Sequence, residues 1–82
     1  MSKFMHEQCF GILDNYGKPI KLYLRGKSVK VIEMLERWVD TGEWWKGESE
    51  KMFFRLQLEQ DRIMEIYYDL KAGEWWTYKV YD

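Results

Sequence analysis

Residues 51–59 read KMFFRLQLE, with Met52, Phe54, Leu56 and Leu58 on one side of an alternation and Lys51, Phe53, Arg55 and Gln57 on the other. Period two is the signature of a half-buried β-strand, because successive side chains leave opposite faces of the backbone. Residues 20–25, IKLYLR, repeat the pattern, with Ile20, Leu22 and Leu24 opposed to Lys21, Tyr23 and Arg25, and the following Gly26-Lys27 suits a tight hairpin turn. Gln60-Asp61 turns the chain into RIMEIYYD, and Lys71-Ala72-Gly73 turns it into EWWTYKVYD. With an earlier strand around QCFGIL, the chain reads as mainly β: a small antiparallel meander or barrel of about five to six strands.

Residues 28–40, SVKVIEMLERWVD, do not fit this frame cleanly. On a helical wheel Val31, Ile32, Met34, Leu35, Trp38 and Val39 form one arc and Lys30, Glu33, Glu36, Arg37 and Asp40 the opposite one, which favours an amphipathic helix. The first residues of the segment also alternate like a strand. It is either the chain's single helix or a long bent strand.

At 82 residues the chain is one domain, 1–82, with a small core in which each large side chain matters. One cysteine, Cys9, permits no internal disulfide, which fits a reducing, cytoplasmic setting. MSKFMHEQCF lacks the apolar run of a signal peptide, and no stretch has the ~20 apolar residues that span a bilayer, so no membrane partner is expected. Thirteen basic against fourteen acidic residues give no global field to attract nucleic acid or an anionic membrane. Aromatic residues are abundant: 18% of the chain, a substitute for the staples that other small domains draw from disulfides or metals.

Four of the five tryptophans lie in two copies of one tetrapeptide, GEWW, at 42–45 and 73–76. The surrounding sequences differ, so the repeat is not a duplicated module. In each copy the glycine supplies a turn conformation. If the tryptophan pair is extended, one ring enters the core and its neighbour lies on the outer face. Outer rings can cover cross-strand neighbours and need no ligand. They can also form a binding surface, since Trp and Tyr dominate interface anchors. The candidates for such a surface are Trp44, Trp45, Trp75, Trp76, Tyr23, Arg25, Phe53 and Arg55. The partner expected for it is another protein or a second copy of the chain. The alternative is single-stranded nucleic acid, whose bases stack on rings while cations track the phosphates. Glu43, Glu48, Glu50 and Glu65 in the same regions weigh against that alternative.

The residues give little support to catalysis. His6 is the one histidine, too isolated to serve a Ser/His/Asp or Cys/His set, and with Cys9 it makes two metal ligands where a structural zinc needs four. The glycines are scattered as turn residues and form no phosphate loop. Carboxylate pairs such as Glu48/Glu50 and Glu65/Asp69 read as solvated faces. No enzyme, metal or cofactor is expected.

The succession YGKPI, LRGK, VIEMLERWVDTGEWW, FFRLQLE, MEIYYD and GEWWTYKVYD resembles a small bacterial family of domains of unknown function. The similarity runs from about Glu7 to Asp82 and is carried most specifically by Trp38 followed by Trp44-Trp45, by Glu65 and Asp69 in MEIYYD, and by Trp75 with the closing Val80-Tyr81-Asp82. Related sequences carry more β-branched and aromatic residues over the segment matching 28–40, which implies a strand there as much as a helix. Members encoded near Y-family translesion polymerases imply a DNA-damage-tolerance setting. This chain has fewer arginines and a shorter stretch after its first GEWW than that pattern, which weakens a nucleic-acid reading. The resemblance carries no mechanism.

Overall fold

The computed structural model describes residues 2–81, the side chains of Ser2, Lys3 and Trp44 excepted. Among the described residues seven strands run in order: β1 (Ser2–Phe4), β2 (Gln8–Leu13), β3 (Pro19–Leu24), β4 (Lys27–Asp40), β5 (Lys51–Leu58), β6 (Arg62–Asp69) and β7 (Glu74–Tyr81). Every pairing is antiparallel, and consecutive strands from β2 to β7 are neighbours. β7 then pairs with β2, Gln8 opposite Trp76 and Cys9 opposite Trp75, so six strands close into a barrel with no α-helix among the described residues. Closure removes the unpaired edges that an open sheet of this size would expose.

β1 lies along the same edge of β7 beyond β2, with Phe4 opposite Lys79. The break between β1 and β2 is stitched to β7 by Thr77. Its hydroxyl, fully buried, accepts from the Glu7 N–H at 2.8 Å and donates to the Glu7 carbonyl at 3.1 Å.

The strands read from alternation appear where the pattern places them, β5 with Phe54, Leu56 and Leu58 inside and β6 with Met64 and Ile66 inside. Leu22, Val31 and Trp75 complete the middle of the core. The hairpin turn before β4 is displaced by one residue from its expected place. Leu24 pairs with Lys27, so the two-residue turn is Arg25-Gly26, with φ 54° and 76°, the left-handed pair that the strand twist prefers. Ile20, expected on the core face, is exposed, because the β2–β3 register shifts beside it and Pro19 is buried in its stead.

Residues 28–40 are a strand. The helical alternative is overturned, and its origin is visible in the register. Pairing with β5 slips between Val31 and Glu33 and again between Met34 and Glu36, so Ile32 and Leu35 are extra residues in two β-bulges. Each bulge adds one residue to the alternation, and the positions opposite core residues of β5 fall at 31, 34 and 37. That spacing mimics a helical face. The bulged residues Ile32 and Leu35 are exposed instead of joining an apolar arc.

Candidate functional site

On β5, β6 and β7 adjacent residues divide two sets of rings between the two sides of the barrel wall. Inside, Trp75 lies against Phe54 and Tyr68, with ring centroids 5.7 and 4.9 Å away. It also lies flat over Gly11, where a Cβ would stand 3.1 Å from the indole. Outside, Phe53 is the hub of a second set. Trp38 of β4 stacks on it at 5.3 Å and 3°, Tyr67 of β6 is tilted against it at 5.2 Å, and Tyr78 of β7 meets it edge-on at 5.0 Å. Phe4 of β1 extends the line, edge-on to Tyr78 at 5.4 Å. Cross-strand pairing puts these rings side by side, since Trp38 faces Phe53 and Phe53 faces Tyr67 in register.

This outer line is a groove as well as a stripe. An open depression of about 400 Å³ has Phe53, Tyr67 and Tyr78 for its floor, Phe4 and His6 along one wall, and Asp40 and Lys51 along the other. Phe53 and Tyr67, 7% and 8% exposed, are buried although they face outward, covered by the neighbouring rings. The His6 imidazole is stacked on Trp76 at 4.5 Å and 4°, which holds it at the groove's edge. Lys51 and Asp40 are opposed across β4 and β5, and the Lys51 ammonium lies 6.0 Å from the centre of the Tyr67 ring.

Beyond one end of the groove one guanidinium is already engaged, while the Lys79 ammonium lies 5.3 Å from the Phe4 ring and 5.1 Å from the Tyr81 ring. Arg55 donates from Nε to Glu65 at 2.8 Å, pairs with Glu36 at 3.1 Å and lies 5.6 Å from the Tyr81 ring. Glu65, 3% exposed, also accepts from the Tyr81 hydroxyl at 2.7 Å, so its buried carboxylate is satisfied twice. The Glu65 hydrogen bond raises the Arg55 pKa further.

The eight candidate residues are scattered. Phe53 is in the groove floor, Trp76 supports its edge through His6, and Arg55 is locked in the adjoining ion-pair cluster. Trp75 is 7% exposed inside the barrel, so the outward member of its pair is Trp76. Tyr23, half-exposed, is on β3 with β4 between it and Phe53, and Arg25 occupies the hairpin turn, where Glu7 engages its guanidinium. Trp45 is 66% exposed on the 3-10 turn Trp44–Lys46, and the side chain of Trp44 lies outside the described residues. Tyr67, Tyr78 and Phe4, which line the groove with Phe53, and Trp38, which stacks on Phe53, are not among the eight. The signal for two of them is register: pairing Trp38, Phe53, Tyr67 and Trp76 across four strands puts all their rings on one face.

Residues 13–82 match a family described as a domain of unknown function, DUF6504. The chain belongs to that family. No curated protein and no solved structure matches it. Among the described residues no group of three or more His, Cys, Asp or Glu is placed to hold a metal, and no helix is long and apolar enough to cross a membrane. Burial pushes the Cys9 thiol up to about 12, the state of a packed side chain rather than a nucleophile.

Proposed function

We propose that this DUF6504 domain is a non-catalytic binding module that holds an extended segment of a partner protein across the outer aromatic groove. The observation that carries the reading is the groove itself: a ring-lined floor, open to solvent, with one cation and one anion on its wall. Such a surface suits an uncharged or zwitterionic peptide, whose apolar side chain fills the floor while its polar groups meet Lys51 and Asp40 on the wall. A polyanion finds less there. Arg55 is neutralised by Glu65 and Glu36, and Arg25, on another part of the surface, by Glu7. The resemblance to proteins encoded near translesion polymerases makes a component of a repair or replication assembly the partner to look for.

Selection of random displayed peptides on the wild-type domain tests this reading. Enriched peptides should share an apolar or aromatic anchor and bind Tyr78→Ala and Lys51→Glu at least about tenfold more weakly. Failure to enrich, or enrichment insensitive to both variants, would sink it. An oligothymidylate titration separates the nucleic-acid alternative: saturable tryptophan quenching that weakens steeply with salt would replace the peptide reading with base stacking on the same rings. Sedimentation separates self-association, for which the mass should rise with concentration above the 10.2 kDa of one chain.

A further inference from the structure

The barrel has a second concave feature, inside its wall and distinct from the outer groove. At one end the interior opens into a cavity of about 450 Å³, within the range of small-molecule sites and at a barrel mouth, where such sites recur. Its depth is apolar, made by Phe54, Trp75 and Met52 with the ring of Tyr68. At its rim stand Leu13 and Leu70, both large apolar side chains left more than two-fifths exposed. Gly17 completes one side without adding a side chain.

Among the described residues one charged group lines this cavity, Arg37. It arrives there through the two bulges of β4, which put residue 37 opposite the core residue Phe54 in register. Among the described residues no ion pair engages Arg37, in contrast to Arg25 and Arg55. No carboxylate lines the cavity among the described residues. Asp14 and Asp69, which follow Leu13 and precede Leu70 in sequence, accept backbone N–H groups, of Tyr16 and Lys18 and of Lys71 and Ala72, and neither is paired with Arg37. An apolar chamber with one guanidinium at its entrance and no acid to neutralise it is complementary to a ligand with an apolar body and one negative end.

We propose that the barrel mouth binds a small amphipathic carboxylate, its apolar body over Trp75 and Phe54 and its carboxylate on Arg37. Phenylbutyrate and its uncharged analogue phenylbutyramide are the probes, read by the indole N–H resonance of Trp75 and the methyl resonances of Leu13 and Leu70. The acid should shift these signals saturably, leave Trp38 and Tyr78 unmoved, and bind about tenfold more tightly than the amide. Arg37→Gln, a substitution at an exposed position, should abolish the difference between acid and amide while leaving the amide's own affinity unchanged. Leu13→Asp, also at an exposed position, should weaken the acid more than the amide. Equal binding of acid and amide to the wild-type domain, shifts confined to the outer groove, or no shift up to the solubility of the acid would each overturn the assignment.

Discussion

In both copies of GEWW the glycine takes a left-handed backbone, φ 63° at Gly42 and 68° at Gly73, and there the similarity ends. After Gly42 the chain coils into the 3-10 turn Trp44–Lys46; after Gly73 it enters β7 at once. The second copy continues into TYKVY, rich in strand-forming residues, and finds β6 on one edge and β2 on the other, with Trp75 opposite both Tyr68 and Cys9. The first continues into KGESE, where Gly47 at φ 80° breaks any extended run, and it spans the connection between Asp40 and Lys51, the last pair of the β4–β5 ladder. The conformation of these four identical residues is therefore set by their C-terminal neighbours and by the strand edges they meet.

The largest test of that contrast is the inward ring. Trp75→Ala removes a buried indole packed on Phe54, Tyr68 and Gly11, and should destabilise the domain by about 3–5 kcal/mol, a large share of what an 82-residue fold possesses. Trp45→Ala, in the first copy, should cost under about 1 kcal/mol. Urea unfolding followed by circular dichroism measures both. Similar midpoints for the two variants would mean that Trp75 does not carry the core packing its burial gives it.

The part of this architecture that was legible in the sequence is the part where alternation runs unbroken. β5 and β6 have regular pairing with each other over their whole length, so their faces could be read residue by residue. β4 could not, because Ile32 and Leu35 interrupt its period and convert spacing of two into spacing of three. The same interruptions hid Arg37, which stands on the polar arc of a helical wheel but at the barrel mouth in the fold. The groove was partly legible. Phe53 stood out by its outward phase, whereas Trp38 and Tyr67 join it through the register, and Tyr78 is the extra residue where β7 shifts opposite Glu65 and Ile66. Which member of the Trp75-Trp76 pair faces inward depended on that phase, so it was settled only by the pairing with Tyr68 and Cys9.

A smaller effect sharpens the comparison at the glycines. Alanine at either Gly42 or Gly73 must adopt a left-handed conformation, at roughly 1–2 kcal/mol. The surroundings differ. At Gly42 the new Cβ would stand 2.6 Å from the Glu48 carboxylate, which accepts the Glu43 N–H at 2.7 Å and would have to give way. At Gly73 the nearest outside atom is the Tyr68 hydroxyl, 3.7 Å away. Gly42→Ala should therefore be the more destabilising of the two in thermal melts, and the order should reverse only if the first copy's loop contributes little to the fold.

The smallest effect concerns the group that ties the two copies together. Asp69 ends β6, and its carboxylate accepts the Lys71 and Ala72 N–H groups of the turn into the second copy while the Ser49 hydroxyl, from the loop of the first, donates to it at 3.0 Å. The Ala72 N–H lowers the Asp69 pKa most; burial opposes it, and the Ser49 hydroxyl, the Lys71 N–H and the Lys51 charge add to the lowering, so the value lies below that of an ordinary carboxylate. A carboxylate whose pKa is lower folded than unfolded stabilises the fold above the unfolded value and ceases to do so as pH falls through the folded one. Wild-type stability should thus decline from about pH 4 downward. Asp69→Asn should cost about 1 kcal/mol at neutral pH, by replacing charge-assisted hydrogen bonds with ordinary ones, and should flatten part of that decline. An unchanged acid limb in the variant would assign the pH dependence to other carboxylates, such as Asp14 and Glu7, whose pKa values are lowered by their own hydrogen bonds, and would leave the two loops joined chiefly by the Leu70 N–H to the Glu50 carbonyl.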